Sequence, residues 1–164
     1  MRFVVTGILL FTSSLLALAE KPGVGADRII VYKHERKLII WSQGKVLRSY
    51  RVALGGDPVG PKTRQGDHRT PEGSYLLDSR NPHSLYYKAF HISYPNSNEI
   101  AAAKKLGVSP GSNIMLHGLP RDYAGEERAR TQHDWTNGCI AVTNEEMDEI
   151  WQLVRVGTPI EIKP

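Results

Sequence analysis

The sequence predicts a mainly β fold of β-sandwich or barrel-like type, with one or two short helices packed on it. Runs rich in β-branched and aromatic residues, bounded by turn-forming residues, recur along most of the 164-residue chain. Helical patterns are confined to two stretches, both in its later half. Strands therefore outnumber helices, and the length suits one domain with a proper core rather than two.

Met1-Arg2, the apolar stretch from Phe3 to Leu16 and the small-x-small triplet Ala17-Leu18-Ala19 together form a secretory signal pattern. Residues 1–19 are expected to be removed as a signal peptide, leaving Glu20 first. The apolar core falls short of the roughly 20 residues that cross a bilayer, so an uncleaved anchor fits less well and no stable membrane span is expected. Residues 20–26, with Pro22, Gly23 and Gly25, read as a leader, and 27–164 as a single domain.

Arg28 to Tyr32 and Lys37 to Trp41 predict a hairpin around a polar turn of His34, Glu35 and Arg36. Gln43-Gly44 turns into a third strand, where Val46, Arg48, Tyr50, Val52 and Leu54 alternate with Leu47, Ser49, Arg51 and Ala53. From Gly55 to Arg69 the composition shifts to Gly, Pro and basic residues, which reads as a solvated surface loop ahead of a binding edge. Strands are expected at Ser74 to Leu77 and Ala89 to Ser93, separated by the polar stretch Asp78 to Ser84. Ser97 to Gly107 predicts a short helix, with Ser97 or Asn98 as N-cap and Gly107 as its stop.

Ile114 to Leu116 reads as a strand ending at His117. The charged segment from Leu119 to Trp135 lacks periodicity and reads as a lid or binding loop slightly ahead of a plain insertion. Thr143-x-x-Glu146 is a capping box for a helix from Asn144 to about Val154, whose stripe of Met147, Ile150, Trp151 and Val154 is core packing. Gly157-Thr158-Pro159 leads into a closing strand, Ile160 to Ile162.

Cys139 is the only cysteine. In an exported chain it has no disulfide partner of its own, so it is reactive, intermolecular or buried. A thiol becomes a nucleophile when it ionises, and His117 is the candidate imidazole to take its proton. Gly138 lets the backbone turn tightly into Cys139, where N–H groups could face an oxyanion. Residue types alone fit equally well a small buried cysteine and an ordinary polar strand end. A zinc site from His117, His133, Asp134 and Cys139 lacks the paired spacings of known sites, so no metal is expected. Gly55-Gly56 is followed by Asp57-Pro58, without a phosphate-loop or dinucleotide pattern, and no cofactor is expected. The formal charge, +4 for the whole chain and about +3 once Arg2 leaves with residues 1–19, is mildly basic and fits a polyanionic surface such as the cell wall as well as it fits no partner in particular. The export signal and the lack of a basic helix argue against nucleic acid.

Leu116-His117-Gly118, Thr136-Asn137-Gly138-Cys139-Ile140 and Asn144 resemble the signature of the L,D-transpeptidases with a YkuD-like catalytic domain. Thr70-Pro71-Glu72-Gly73-Ser74-Tyr75 and the stretch from Gly107 to Ile114 extend the resemblance over most of the mature chain. It implies ping-pong acyl transfer on peptidoglycan stem peptides in the periplasm or cell wall, by a monomer. Cys139 would attack the amide after meso-diaminopimelate of a stem tetrapeptide, with His117 as base and with Gly138, Gly118, Thr136 and Asn137 shaping the site. The resulting thioester would pass to an amine, giving a cross-link. Passing it to water would make the protein an L,D-carboxypeptidase, an endopeptidase or an amidase on wall cross-links or wall-linked protein. A non-catalytic wall-binding relative is the third class.

Two positions depart from the family pattern: Asn137 stands where His is usual and Ala141 where Arg is usual, and the interval from His117 to Cys139 is longer than is common. Substrate carboxylates are therefore expected on other groups, namely Arg69, Arg121, Arg128, Arg130 and Asn144, with His133 standing in for the missing imidazole.

Overall fold

The computed structural model describes residues 25–120 and 131–164. The expected signal peptide, most of the expected leader and residues 121–130 lie outside the described residues.

The elements run in the order β1 (Arg28–Tyr32), β2 (Lys37–Ser42), β3 (Lys45–Arg51), β4 (Gly73–Ser84), β5 (Tyr87–Ile92), α1 (Ser97–Lys105), β6 (Met115–His117), β7 (Ile140–Ala141), α2 (Asn144–Leu153) and β8 (Pro159–Lys163). This is the mainly β architecture with two packed helices that the patterning predicts. The strands form one sheet in the order β3-β2-β1-β8-β4-β5-β6-β7. The closing strand β8 is central, parallel to β1 and antiparallel to β4. Its two isoleucines, Ile160 and Ile162, are accordingly buried.

The sheet curls into a half-barrel until its two ends meet. Beyond β3 the chain continues to Ala53, which exchanges both backbone hydrogen bonds with Ala141 of β7 at 2.9 Å each. The β-branched runs of β1 and β2 put Ile29, Val31, Leu38 and Ile40 into the enclosed core, joined by Phe90, Ile92, Leu116 and Ile140. Met147 and Ile150 of α2 cover this core, and Trp151 packs on the Phe90 ring at 5.0 Å between centroids. Thr143 and Glu146 form the expected capping box at the start of α2.

Three elements differ from expectation. β3 stops at Arg51 rather than Leu54: the Val52 N–H still reaches the Arg36 carbonyl in register with the Lys37–Arg51 pair, but the Arg36 N–H turns back to the Lys33 carbonyl, and Ala53 crosses to β7. β4 continues through Asp78 to Ser84, which the polarity suggested was a connector. That half of the strand is exposed, so nothing there selects apolar residues, yet it pairs with β5. α1 is capped by Asn96, whose side-chain oxygen accepts from the N–H groups of Asn98 and Glu99.

The loop between β3 and β4 is held from below by Lys33, which is buried at the end of β1. Its ammonium donates to the carbonyls of Gly60 and Thr70 at 2.6 and 2.8 Å, and to Glu72 at 2.7 Å. All three donors of the ammonium are used, so a buried charge becomes a clamp on both ends of the loop.

Candidate active site

β6 ends on His117, and Cys139 immediately precedes β7. These strands are parallel, with Leu116 opposite Ile140 and His117 opposite Ala141. Cys139 lies two residues before Ala141, hence on the same face of the ladder as His117. An ideal ladder would put their Cα atoms about 8 Å apart on the diagonal.

The turn into Cys139 is built from Thr136 and Gly138. Thr136, buried, accepts the Gly138 N–H at 3.1 Å on its hydroxyl, which in turn donates to the Cys139 carbonyl at 2.8 Å. Gly138 has φ of 125°, and an added Cβ would lie 2.6 Å from the Arg69 carbonyl oxygen. Only glycine fits both requirements. Upstream, Asp134 ties the segment to the rest of the fold: one carboxylate oxygen accepts the Leu54 N–H and the other pairs with Arg36 at 2.7 Å. The N–H groups of Trp135 and Thr136 both reach the Leu54 carbonyl.

His117 is 3% exposed. Its Nδ1 donates to the Gly118 carbonyl at 2.6 Å, which leaves Nε2 as the proton-accepting nitrogen. Tyr86, at the tip of the β4–β5 hairpin, packs on the ring at 4.6 Å, and Trp135 meets it edge-on at 6.1 Å. Burial pulls the imidazole pKa below its ordinary value, against a smaller opposing effect of the Gly118 carbonyl. Burial pushes the Cys139 thiol up, while the Met115 backbone amide and the Lys62 charge pull the other way. Burial thus disfavours the charged form of each group, the thiolate of Cys139 and the imidazolium of His117.

Cys139 opens on a pocket of about 350 Å³ whose walls include Lys62, Gln65, His68, Asn113 and Asn137. Its Sγ lies 3.6 Å from the Asn113 carbonyl oxygen. Part of the pocket's lining comes from the basic loop 55–69, through Lys62, Gln65, Gly66 and His68, although much of that loop is solvent-exposed as expected. Lys62 is buried there, paired with Asp67 at 2.7 Å and donating to the Arg64 carbonyl at 3.0 Å. Asp67 also accepts three backbone N–H groups, and its carboxyl is held down at about 2 although burial alone would raise it. His68 reaches across to Asn137, Nδ1 to Oδ1, at 2.9 Å.

The remaining candidates are dispersed. Arg69 pairs with Asp57 at 3.1 Å, and its backbone packs behind Gly138. His133 is exposed. Asn144, the first residue of α2, accepts the Leu119 N–H at 2.7 Å and sits so close to Gly118 that a Cβ there would be 2.4 Å from its side-chain oxygen. Arg121, Arg128 and Arg130, with the middle of the 119–135 segment, lie outside the described residues. Lys62 and His68 are the pocket residues that sequence reasoning missed. Gly60 and Gly66 flank Lys62, and His68 stands between Gly66 and the Thr70-Pro71 segment.

Residues 26–162 match the family described as the L,D-transpeptidase catalytic domain, YkuD. A candidate L,D-transpeptidase of Escherichia coli, YafK, is 34% identical over 133 residues, covering 77% of this chain and 46% of the relative. The structure of the helical cell shape determining protein Pgp2 from Campylobacter jejuni superposes with a TM-score of 0.64 at 26% identity, covering 85% of this chain and 48% of that one. An L,D-transpeptidase from Mycobacterium smegmatis shares the fold, with a TM-score of 0.56 at 16% identity over 85% of this chain and 60% of that one. The chain thus spans about half the length of YafK and of Pgp2.

Proposed function

Because the chain belongs to the YkuD family of L,D-transpeptidase catalytic domains, we propose that it is a peptidoglycan L,D-transpeptidase working through a Cys139 thioester. The observation that carries this reading is the placement of Cys139 on a glycine turn at the wall of an open pocket, on the same ladder face as buried His117. His117 Nε2 takes the thiol proton as sulfur adds to the amide carbonyl after meso-diaminopimelate. The same proton passes to the departing D-alanine amine when the C–N bond breaks. The thioester is then released to an amine of a second stem, with Gly138, Gly118 and Thr136 shaping the backbone around the reacting carbonyl. The chain acts as a monomer in the periplasm or cell wall, delivered there by the signal segment 1–19.

A hydrolytic reading, with water as acceptor on stems, cross-links or wall-linked protein, is favoured by one specific observation. Asn137 and Ala141 stand where the family pattern has His and Arg, and the loss of those charged groups can shift the acceptor from an amine to water. Incubation of sacculi with the protein, followed by mass spectrometry of the muropeptides, separates the readings. New cross-links support transpeptidation, shortened or severed stems support hydrolysis, and unchanged material overturns both.

A further inference from the structure

The pocket beside Cys139 contains an imidazole that the acylation step just described leaves unused. His117 is buried under Tyr86 and Trp135 and does not line the pocket, whereas His68 is exposed and does. His68 and Cys139 thus share one solvent-open pocket.

Three features fix His68 where it stands. Its Nδ1 donates to Asn137 Oδ1 at 2.9 Å, two residues before the nucleophile, so Nε2 carries the free lone pair. Its backbone has φ of 53°, a left-handed conformation that a side chain adopts only when the surroundings impose it. Those surroundings are visible: the His68 carbonyl accepts the Asp57 N–H at 3.1 Å, and Gly55 packs so tightly that an added Cβ would lie 2.1 Å from the His68 oxygen. A loop histidine of no consequence would need neither the imposed backbone nor a partner in the nucleophile turn. Asn137, which cannot titrate, holds an imidazole brought from a different loop. His133, the stand-in expected from sequence, has no such placement.

We propose that His68 is the acceptor-side base of this site, positioned by Asn137. The proposal rests on the reading of Cys139 as an acyl carrier. In the second half-reaction the amine nitrogen, or a water oxygen, bonds to the thioester carbonyl carbon and the C–S bond breaks, releasing the Cys139 thiolate. The proton lost by the incoming nucleophile moves to His68 Nε2 and passes through solvent to the thiolate, restoring the resting thiol. Division of labour follows: His117 serves the entry of the thiol, and His68 the entry of the acceptor.

Single-turnover mass spectrometry tests this, with enzyme in excess over a stem tetrapeptide and a chase of glycinamide or of water alone. His68→Ala is expected to acylate within about threefold of wild type and to transfer at least about tenfold more slowly, since general bases contribute roughly 10²–10⁴. Its acyl-enzyme should accumulate, and added imidazole should restore transfer. Asn137→Leu should slow transfer without slowing acylation, while Asn137→Asp, which still accepts from Nδ1, should keep it. Unchanged transfer in His68→Ala, or equal slowing of both steps, overturns the proposal while leaving the thioester reading intact. A wild-type protein that never acylates overturns the thioester reading, and this proposal with it.

Discussion

Cys139 and His117 are each moved by burial away from the charged state, and that has a consequence for stability as well as chemistry. In the unfolded chain a thiol ionises above about 8.5 and an imidazole protonates below about 6.5. The folded thiol has a raised pKa, so above that range the unfolded state sheds a proton the folded state keeps, and stability falls as pH rises. The folded imidazole has a lowered pKa, so below its range the unfolded state takes up a proton first, and stability falls as pH drops. Both contributions are complete between the two values. A profile of Tm against pH should therefore lose part of its alkaline fall in Cys139→Ala and part of its acid fall in His117→Gln; the reverse pattern would contradict the assigned directions. His117→Ala should also slow iodoacetamide alkylation of Cys139 near neutral pH, because the imidazole assigned to take the thiol proton is gone. An alkylation rate unchanged across pH would remove His117 from that role.

Among the elements, the Thr136–Cys139 turn and the start of α2 make contrasting predictions. Gly138→Ala meets both a left-handed φ and the Arg69 carbonyl, so it should cost about 1–3 kcal/mol in urea unfolding and displace the nucleophile. Thr143→Ala removes only an N-cap, costing about 0.5–2 kcal/mol with the activity kept. A Gly138→Ala protein of unaltered stability and activity would show that the turn tolerates a side chain. The same elements show what the sequence could and could not disclose. The α2 capping box was legible because Thr143, Glu146 and an apolar stripe coincide. The α1 cap, expected at Ser97 or Asn98, was misplaced by one or two residues because Asn96, Ser97 and Asn98 are all capable caps, and only tertiary packing chooses. The outer half of β4 was illegible because a strand exposed on both faces leaves no period-two hydrophobic record. Lys62 and His68 read as ordinary loop residues because the burial of Lys62 depends on how the loop folds around Asp67 and is held by Lys33, and the reach of His68 depends on Asn137, which is distant until the sheet closes.

For the whole molecule, closure of the half-barrel at Ala53–Ala141 brings the 55–72 loop against the cysteine turn, and Lys33 locks that loop to β1. Lys33→Ala would leave the Glu72 carboxylate and two carbonyls without their donor, a loss of about 3–5 kcal/mol for a buried pair broken on one side. Urea unfolding would measure it; a loss under about 1 kcal/mol would show that the loop holds without its clamp. The mainly β class, the strand that ends on His117 and the turn that presents Cys139 were all readable from periodicity and glycine placement, whereas the sheet order was not, since β8 inserts between strands distant in sequence. All of this architecture serves one claim, that Cys139 carries an acyl group from a peptidoglycan stem. The most direct measurement is the intact mass of the protein after mixing with a stem tetrapeptide. Wild type should gain the mass of the tetrapeptide less D-alanine, on Cys139, and lose it when glycinamide is added, while Cys139→Ala gains nothing. A wild-type mass that never changes while the stems are nonetheless cut or joined, or an adduct that persists in Cys139→Ala, would contradict the account.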